Sequence, residues 1–212
     1  MEIIVAVVVL AFGAGAFLVV RRQRVQKALP GGEALRALPG PRPFNPKTAR
    51  IGDHAYLGDA YADIFEIVAR ADYRDEDGEE WTEFELFDLA TDTTLYLSYE
   101  LDDEDRPVFG IHRPLDAIQL ESLTAFDDVV RGGTKPSRDV VFNGTAFRAP
   151  KDDYWYDATV RDVRKDRPEE SRYEVKLTDY RAGDRELCLE LWDGGRSITI
   201  GEPISEVTLY NA

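Results

Sequence analysis

Cysteine and methionine each occur once in 212 residues, and histidine occurs twice. One thiol makes no disulfide framework, and a Cys/His zinc site lacks its ligands. Basic residues are scarce beyond Arg50, where 18 Lys and Arg stand against 39 Asp and Glu, a net of −21. Such a body argues against nucleic acid as a partner, because phosphate contacts need clustered Lys and Arg. The overall charge of −15 hides an opposite beginning. Residues 1–50 hold eight bases, Arg21, Arg22, Arg24, Lys27, Arg36, Arg42, Lys47 and Arg50, against Glu2 and Glu33. With 43% hydrophobic and 11% aromatic residues, the chain has enough apolar material for a packed core.

Ile3 to Val20 runs 18 residues without a charge. As a helix this run spans about 27 Å, close to the hydrocarbon thickness of a bilayer. In lipid every backbone group must bond internally, which selects helix despite the many β-branched residues. The basic cluster Arg21, Arg22, Arg24 and Lys27 follows the apolar run, whereas a cleaved signal carries its bases first. The order predicts a retained single-pass anchor over residues 1–22. By the positive-inside rule the N-terminus lies outside and the body lies in the cytoplasm. Residues 23–50 contain Pro30, Pro39, Pro41, Pro43 and Pro46 and repeat Ala-Leu-Pro-Gly at 28–31 and 37–40. That composition predicts a basic linker between the anchor and an acidic domain at 51–212.

Past Arg50 the pattern alternates with a period of two. Leu95, Leu97, Tyr99 and Leu101 fall on one strand face and Tyr96, Ser98 and Glu100 on the other. Phe84 and Leu86 share a face between Glu83, Glu85 and Phe87. Asp77-Gly78 marks a hairpin turn before Trp81. Further strands are expected around Val108–Ile111, Val140–Arg148, Tyr154–Val163, Tyr173–Thr178, Leu187–Trp192, Ile198–Ile200 and Val207–Tyr210, with one short helix near Leu123–Arg131. Two halves, about 51–122 and 138–212, look like copies. Glu83–Asp88 aligns with Glu174–Asp179, Leu95 and Leu97 with Leu187 and Leu189, and Phe109 and Ile111 with Ile198 and Ile200. The expected fold is all-β: an antiparallel β sandwich or paired small β barrels built from two duplicated halves, preceded by one transmembrane α-helix.

The stretch Asp75-Glu76-Asp77-Gly78-Glu79-Glu80-Trp81-Thr82-Glu83-Phe84, followed by Leu95-Tyr96-Leu97-Ser98-Tyr99-Glu100, resembles the domain of unknown function 4178 family. The resemblance is clearest over about residues 50–118 and looser over about 138–210. Tyr96 stands where the family pattern has Trp. What the resemblance implies is a bacterial or archaeal β-domain, often membrane-tethered, with no established reaction and no catalytic residues to carry over.

Cys188 lies between Leu187 and Leu189 on an expected strand, and neither His54 nor His112 stands beside it in sequence as a base. It reads as a small buried or half-buried side chain. No Gly-x-Ser-x-Gly or Ser-x-x-Lys motif frames a serine. The acidic loops are the remaining candidates: Asp75, Asp77, Glu79 and Glu80 in one, Asp102, Asp103 and Asp105 in another. An EF-hand alignment fails, because Tyr73 and Phe84 occupy its first and last ligand positions. Two readings of these loops stand side by side: solvated turns that block edge pairing, and shallow capture of a cation, either polyamine or calcium. Trp81, Trp155 and Trp192 are expected to fill sheet packing.

These observations predict a membrane-tethered, non-catalytic interaction or scaffold module with a protein partner, without cofactor or metal. The alternative is an acidic ligand-binding domain for cations, and the remaining one is an enzyme using carboxylates in a cleft.

Overall fold

A computed structural model describes residues 40–58, 64–88, 90–102, 104–121, 123, 137–149, 155–193 and 195–211. The expected anchor with Arg21, Arg22, Arg24 and Lys27 lies outside the described residues, as does all but Leu123 of the expected Leu123–Arg131 helix. Among the described residues no helix is long and apolar enough to cross a membrane. The β unit starts at Gly40, inside the segment expected to be linker.

Each half contributes a four-stranded meander. The first comprises β3 (Ile64–Asp75), β4 (Glu80–Asp88), β5 (Thr93–Leu101) and β6 (Pro107–Pro114). The second comprises β9 (Tyr156–Arg164), β10 (Ser171–Ala182), β11 (Arg185–Trp192) and β12 (Gly195–Ile204). Antiparallel pairing of β3 with β9 and of β6 with β12 joins the two into one closed eight-stranded barrel, in place of a sandwich or two small barrels. Closure removes the edges that each meander alone would expose.

Outside the barrel lie β1 (Arg42–Pro43), β13 (Thr208–Tyr210) and β2 (His54–Tyr56), which extend the sheet from β3. On the other half, β7 (Asp139–Phe142) and β8 (Thr145–Arg148) extend it from β10, and a short helix α1 (Ala117–Glu121) follows β6. The stretch expected to be one strand at Val140–Arg148 is a hairpin. Asn143 and Gly144 have φ of 49° and 75° and join Phe142 to Thr145 as a two-residue turn.

Apolar packing sits mainly outside the barrel wall. Phe84, Leu86, Leu95, Leu97 and Ile111 pack under Ala55, Leu57, Val207 and Leu209. Tyr180, Leu187, Leu189, Ile198 and Ile200 pack under Val140, Phe142, Phe147 and Leu115. Burying each of these large side chains contributes on the order of 1.5–3 kcal/mol. In β3 a bulge between Ile67 and Ala69 breaks the register with β4. Phe65 and Ile67 therefore pack outward, whereas Ala69, Ala71 and Tyr73 share the inner face with Glu85, Glu83 and Trp81.

The strand pairings also revise the expected alignment of the halves. Leu86 opposes Leu95 and Tyr180 opposes Leu187, so Glu83–Asp88 is matched by residues 177–182 and not by Glu174–Asp179. Val175 and Leu177 consequently face inward while Phe84 and Leu86 face outward.

Candidate functional site in the barrel lumen

The inner face of the wall is polar. On β4 and β5, Glu83 opposes Ser98 and Glu85 opposes Tyr96. On β10 and β11, Asp179 opposes Cys188, Leu177 opposes Glu190 and Arg181 opposes Glu186. β4 and β11 stand on opposite sides of the barrel, yet Glu83 and Glu190 feel each other's charge across the lumen. Glu83, Asp179, Cys188 and Glu190 are enclosed by protein and still keep part of their surface accessible. That combination belongs to side chains that line an interior hollow.

Basic partners divide the inner acids into two groups. Arg164 Nη2 donates to Glu85 Oε2 at 2.5 Å, Arg167 Nη2 to Asp162 Oδ2 at 3.1 Å, and Arg181 Nε to Glu186 Oε1 at 3.0 Å. Glu83, Asp179 and Glu190 make no ion pair among the described residues. Phenols stand beside two of them, with Tyr73 Oη 3.5 Å from Glu83 Oε2 and Tyr156 Oη donating to Asp179 Oδ2 at 3.0 Å. Glu190 Oε1 is buried without a partner.

Burial, with the Glu190 and Asp179 charges adding to it, pushes Glu83 well above the usual carboxylate range. Burial likewise raises Glu190 to about 7, and burial with the Glu186 charge raises Asp179. The Cys188 thiol is pushed well up by burial and by Asp179. It is held as a thiol, the opposite of an activated nucleophile.

An apolar floor adjoins these acids. Tyr73, Ala158, Val160, Val175 and Leu177 cluster there with Trp81 and Tyr156 packed against them. Tyr73 stacks on Trp81 with ring centres 4.9 Å apart, and Tyr156 meets Trp81 edge-on at 6.4 Å. Elsewhere on the inner face, His112 is 8% exposed, with Nδ1 unpartnered and Nε2 3.5 Å from Ser98 Oγ. Its ring lies across two glycines. A Cβ on Gly201 would stand 2.4 Å from Nδ1, and one on Gly110 would stand 2.9 Å from Nε2. Burial, opposed by Glu186, pulls the imidazole below its ordinary value.

The acidic loops read from the sequence have a different character. Asp75 accepts the Glu79 backbone N–H at 2.8 Å, and Glu80 pairs with Arg74 at 3.7 Å. Asp102 accepts the N–H groups of Glu104 and Arg106 at 2.9 Å and the Arg106 guanidinium at 2.8 Å, which holds its carboxyl below the usual range. Asp77, Glu79 and Asp105 are exposed, and Asp103 lies outside the described residues. Both loops stand at the same end of the barrel as hairpin turns, and Asp75 and Asp102 serve the turns themselves. Sequence reading placed Glu83, Ser98 and Glu100 on the polar side of alternating strands but gave no reason to enclose that side. Asp179, Glu190 and His112 carried no local signal beyond the same alternation. Trp81 and Trp192 belong to the inner face, and Trp155 packs against the outer cluster of the second half.

Among comparisons with known proteins, the profile of the family described as a domain of unknown function (DUF4178) matches residues 57–206. No curated protein matches the chain. No solved structure matches it either.

Proposed function

The chain belongs to the DUF4178 family of domains of unknown function, and on its own geometry we propose that the barrel is a non-catalytic binding module whose lumen takes an organic ammonium cation. The observation that carries this reading is the set Glu83, Asp179 and Glu190: enclosed, mutually repelling, without an ion pair among the described residues, and with Glu190 Oε1 buried and unbonded. A cation entering the lumen supplies the missing donors and cancels the repulsion.

The neighbouring floor favours an organic cation over calcium. Calcium takes six to eight oxygens in a tight shell, and no group of three acidic, His or Cys side chains among the described residues is placed to hold a metal. Methylene groups, by contrast, would lie against Leu177, Val175 and the rings of Tyr73, Trp81 and Tyr156, where a cation also gains from aromatic faces.

The expected anchor and linker extend the proposal to a module tethered at the inner face of a membrane. A wider reading as an interaction scaffold for a protein partner is supported by that same tether. It has less to stand on in the β unit, where Leu101, Ile118, Val141, Tyr173 and Trp192 are the exposed large apolar residues among those described.

Titration calorimetry on the full chain in detergent tests the proposal with butylammonium, 1,4-diaminobutane, spermidine and calcium. We expect one saturable site for the amines, none for calcium, and at least tenfold weaker amine binding in Glu83→Gln and Glu190→Gln. Calcium binding abolished by Asp75→Asn with Asp102→Asn, with amines inert, would return the site to the loops.

A further inference from the structure

We propose that the lumen takes the side chain of a lysine on a partner polypeptide, inserted through a mouth formed by Trp192 and Tyr173. This rests on the ammonium-binding reading above and names the molecule that carries the ammonium group.

The strand register places the mouth. β10 begins at Ser171 and β11 ends at Trp192, beside the turns that follow β9 and β11. From that rim inward, the inner face reads Tyr173, Val175 and Leu177 on β10, and Trp192, Glu190 and Cys188 on β11. Trp192 opposes Val175, which makes Tyr173 its diagonal neighbour, about 7–8 Å away. Long side chains at that spacing can grip a slender chain laid between them. Trp192 also opposes Gly195 on β12. A Cβ there would stand 2.6 Å from the indole Nε1 and Cε2, so the ring rests across that glycine on the inner side of the wall.

Both rings are inner-face side chains that reach solvent. Trp192 is 36% and Tyr173 37% exposed, and among the described residues neither side chain makes a hydrogen bond or a ring contact. The other large apolar residues exposed among those described, Leu101, Ile118 and Val141, lie outside the lumen. Tyr73 and Trp81, by contrast, cover each other at 4.9 Å. The mouth thus leaves aromatic surface, a phenol O–H and an indole N–H uncovered, the combination enriched where proteins meet.

Behind the mouth the chemistry follows the order of a lysine side chain. Val160 opposes Tyr173 and Val175 opposes Trp192, so an apolar floor starts at the rim. Glu190, its Oε1 buried and unbonded, stands two residues inward of Trp192, roughly 7 Å by strand rise. A lysine stem of four methylenes spans roughly 6 Å and ends in an ammonium with three donors. Its methylenes lie along Val175 and the two rings, its Nζ reaches Glu190, and the partner's backbone stops at the rim. The net charge of −21 beyond Arg50 steers a basic partner toward this end.

The test is calorimetry on the full chain in detergent with three probes: acetyl-Gly-Lys-Gly-amide, the same peptide with norleucine in place of lysine, and butylammonium. The lysine peptide should bind about fivefold more tightly than butylammonium, because its backbone adds contacts at the rim, and the norleucine peptide should not bind. In NMR spectra the Trp192 indole N–H should shift with the lysine peptide while that of Trp155 stays. Trp192→Leu with Tyr173→Leu should remove the peptide's advantage and leave butylammonium binding within about twofold of wild type. Butylammonium binding without peptide binding, an unmoved Trp192 resonance, or an advantage that survives in the leucine variant overturns the lysine mouth and leaves the ammonium reading standing. The wild-type ranking decides the case even where the leucine variant fails to fold. Absence of binding by both ammonium probes overturns both readings.

Discussion

Glu83 and Phe84 are neighbours in the chain and face opposite ways through one barrel wall. Phe84 is fully buried under the outer strands, beside Phe44 at 5.2 Å, in an environment that matches its chemistry. Glu83 is half-buried among other acids, with the Tyr73 hydroxyl 3.5 Å from its Oε2. Both sites are protein interior, but only the outer one lowers the free energy of the fold. The inner acids lose solvation without basic partners among the described residues, whereas the floor of Val160, Val175 and Leu177 beside them packs as the outer clusters do.

The sharpest way to break this contrast is to truncate Phe84. Phe84→Ala should cost about 3–5 kcal/mol, read as a shift in urea midpoint, because the outer cluster cannot collapse around the hole. If Glu83→Gln next door costs as much, the two faces are energetically alike and the contrast fails. The expected result for Glu83→Gln is equal or higher stability above neutral pH.

pH gives the next largest effect. Carboxyls raised in the fold keep protons that the unfolded chain has already released, so stability falls as pH climbs from the ordinary carboxylate range through about 7. His112, depressed by burial, opposes this only below its ordinary value of about 6.5. Between pH 6.5 and 8 the carboxyls act alone. Denaturation across that window should show a loss on the order of 1 kcal/mol in wild type from Glu190 alone, with Glu83 and Asp179 adding in the same direction. Glu190→Gln should flatten the slope, and a wild-type curve that rises over this window would contradict the buried acids.

A smaller effect is expected from Gly201→Ala, whose methyl would stand 2.4 Å from His112 Nδ1. Pushing the ring aside should cost about 1–3 kcal/mol and shift the His112 ring resonances in NMR spectra. Unmoved resonances would remove His112 from the inner face. The smallest response belongs to the exposed loop acids. Asp102→Asn should leave the melting temperature and amine binding unchanged within experimental scatter, since its partner Arg106 is solvent-exposed.

Much of the outer face was legible in the sequence. Phe84 with Leu86, Leu95 with Leu97 and Leu187 with Leu189 alternate with polar residues, and the strands fall where that alternation lies. The all-β class, the turn at Asp77-Gly78 and the family resemblance follow from the same stretches. Barrel closure was not legible, because it depends on β3 meeting β9 and β6 meeting β12, pairings far apart in sequence and without a local pattern. Without closure, the polar side of each strand reads as solvent-facing, which is why Glu83 and Glu190 were passed over and the crowded loop acids were chosen. The equivalence of the halves slipped by three residues for a related reason. Val175 and Leu177 are apolar like Phe84 and Leu86, but they line the floor of the lumen. Asn143-Gly144 is a hairpin signal within reach of the sequence, inside the stretch expected to be one strand at Val140–Arg148.

The bulge in β3 carries a consequence for how such a chain can vary by descent. Phe65 and Ile67 belong to the outer layer and Ala69, Ala71 and Tyr73 to the lumen, although all five are odd-numbered, and the extra residue Val68 makes the exchange of sides. Its carbonyl accepts the Lys165 N–H at 2.8 Å, so the irregularity is fastened to the turn after β9. Losing that one residue would restore plain alternation, with Ile67 outward and Ala69 inward, and leave Asp72 and Tyr73 facing as they do. Losing two would set two residues of the same facing side by side or turn the far half of the strand over. Among descendants of this chain, a length change at this point should therefore be the loss of a single residue.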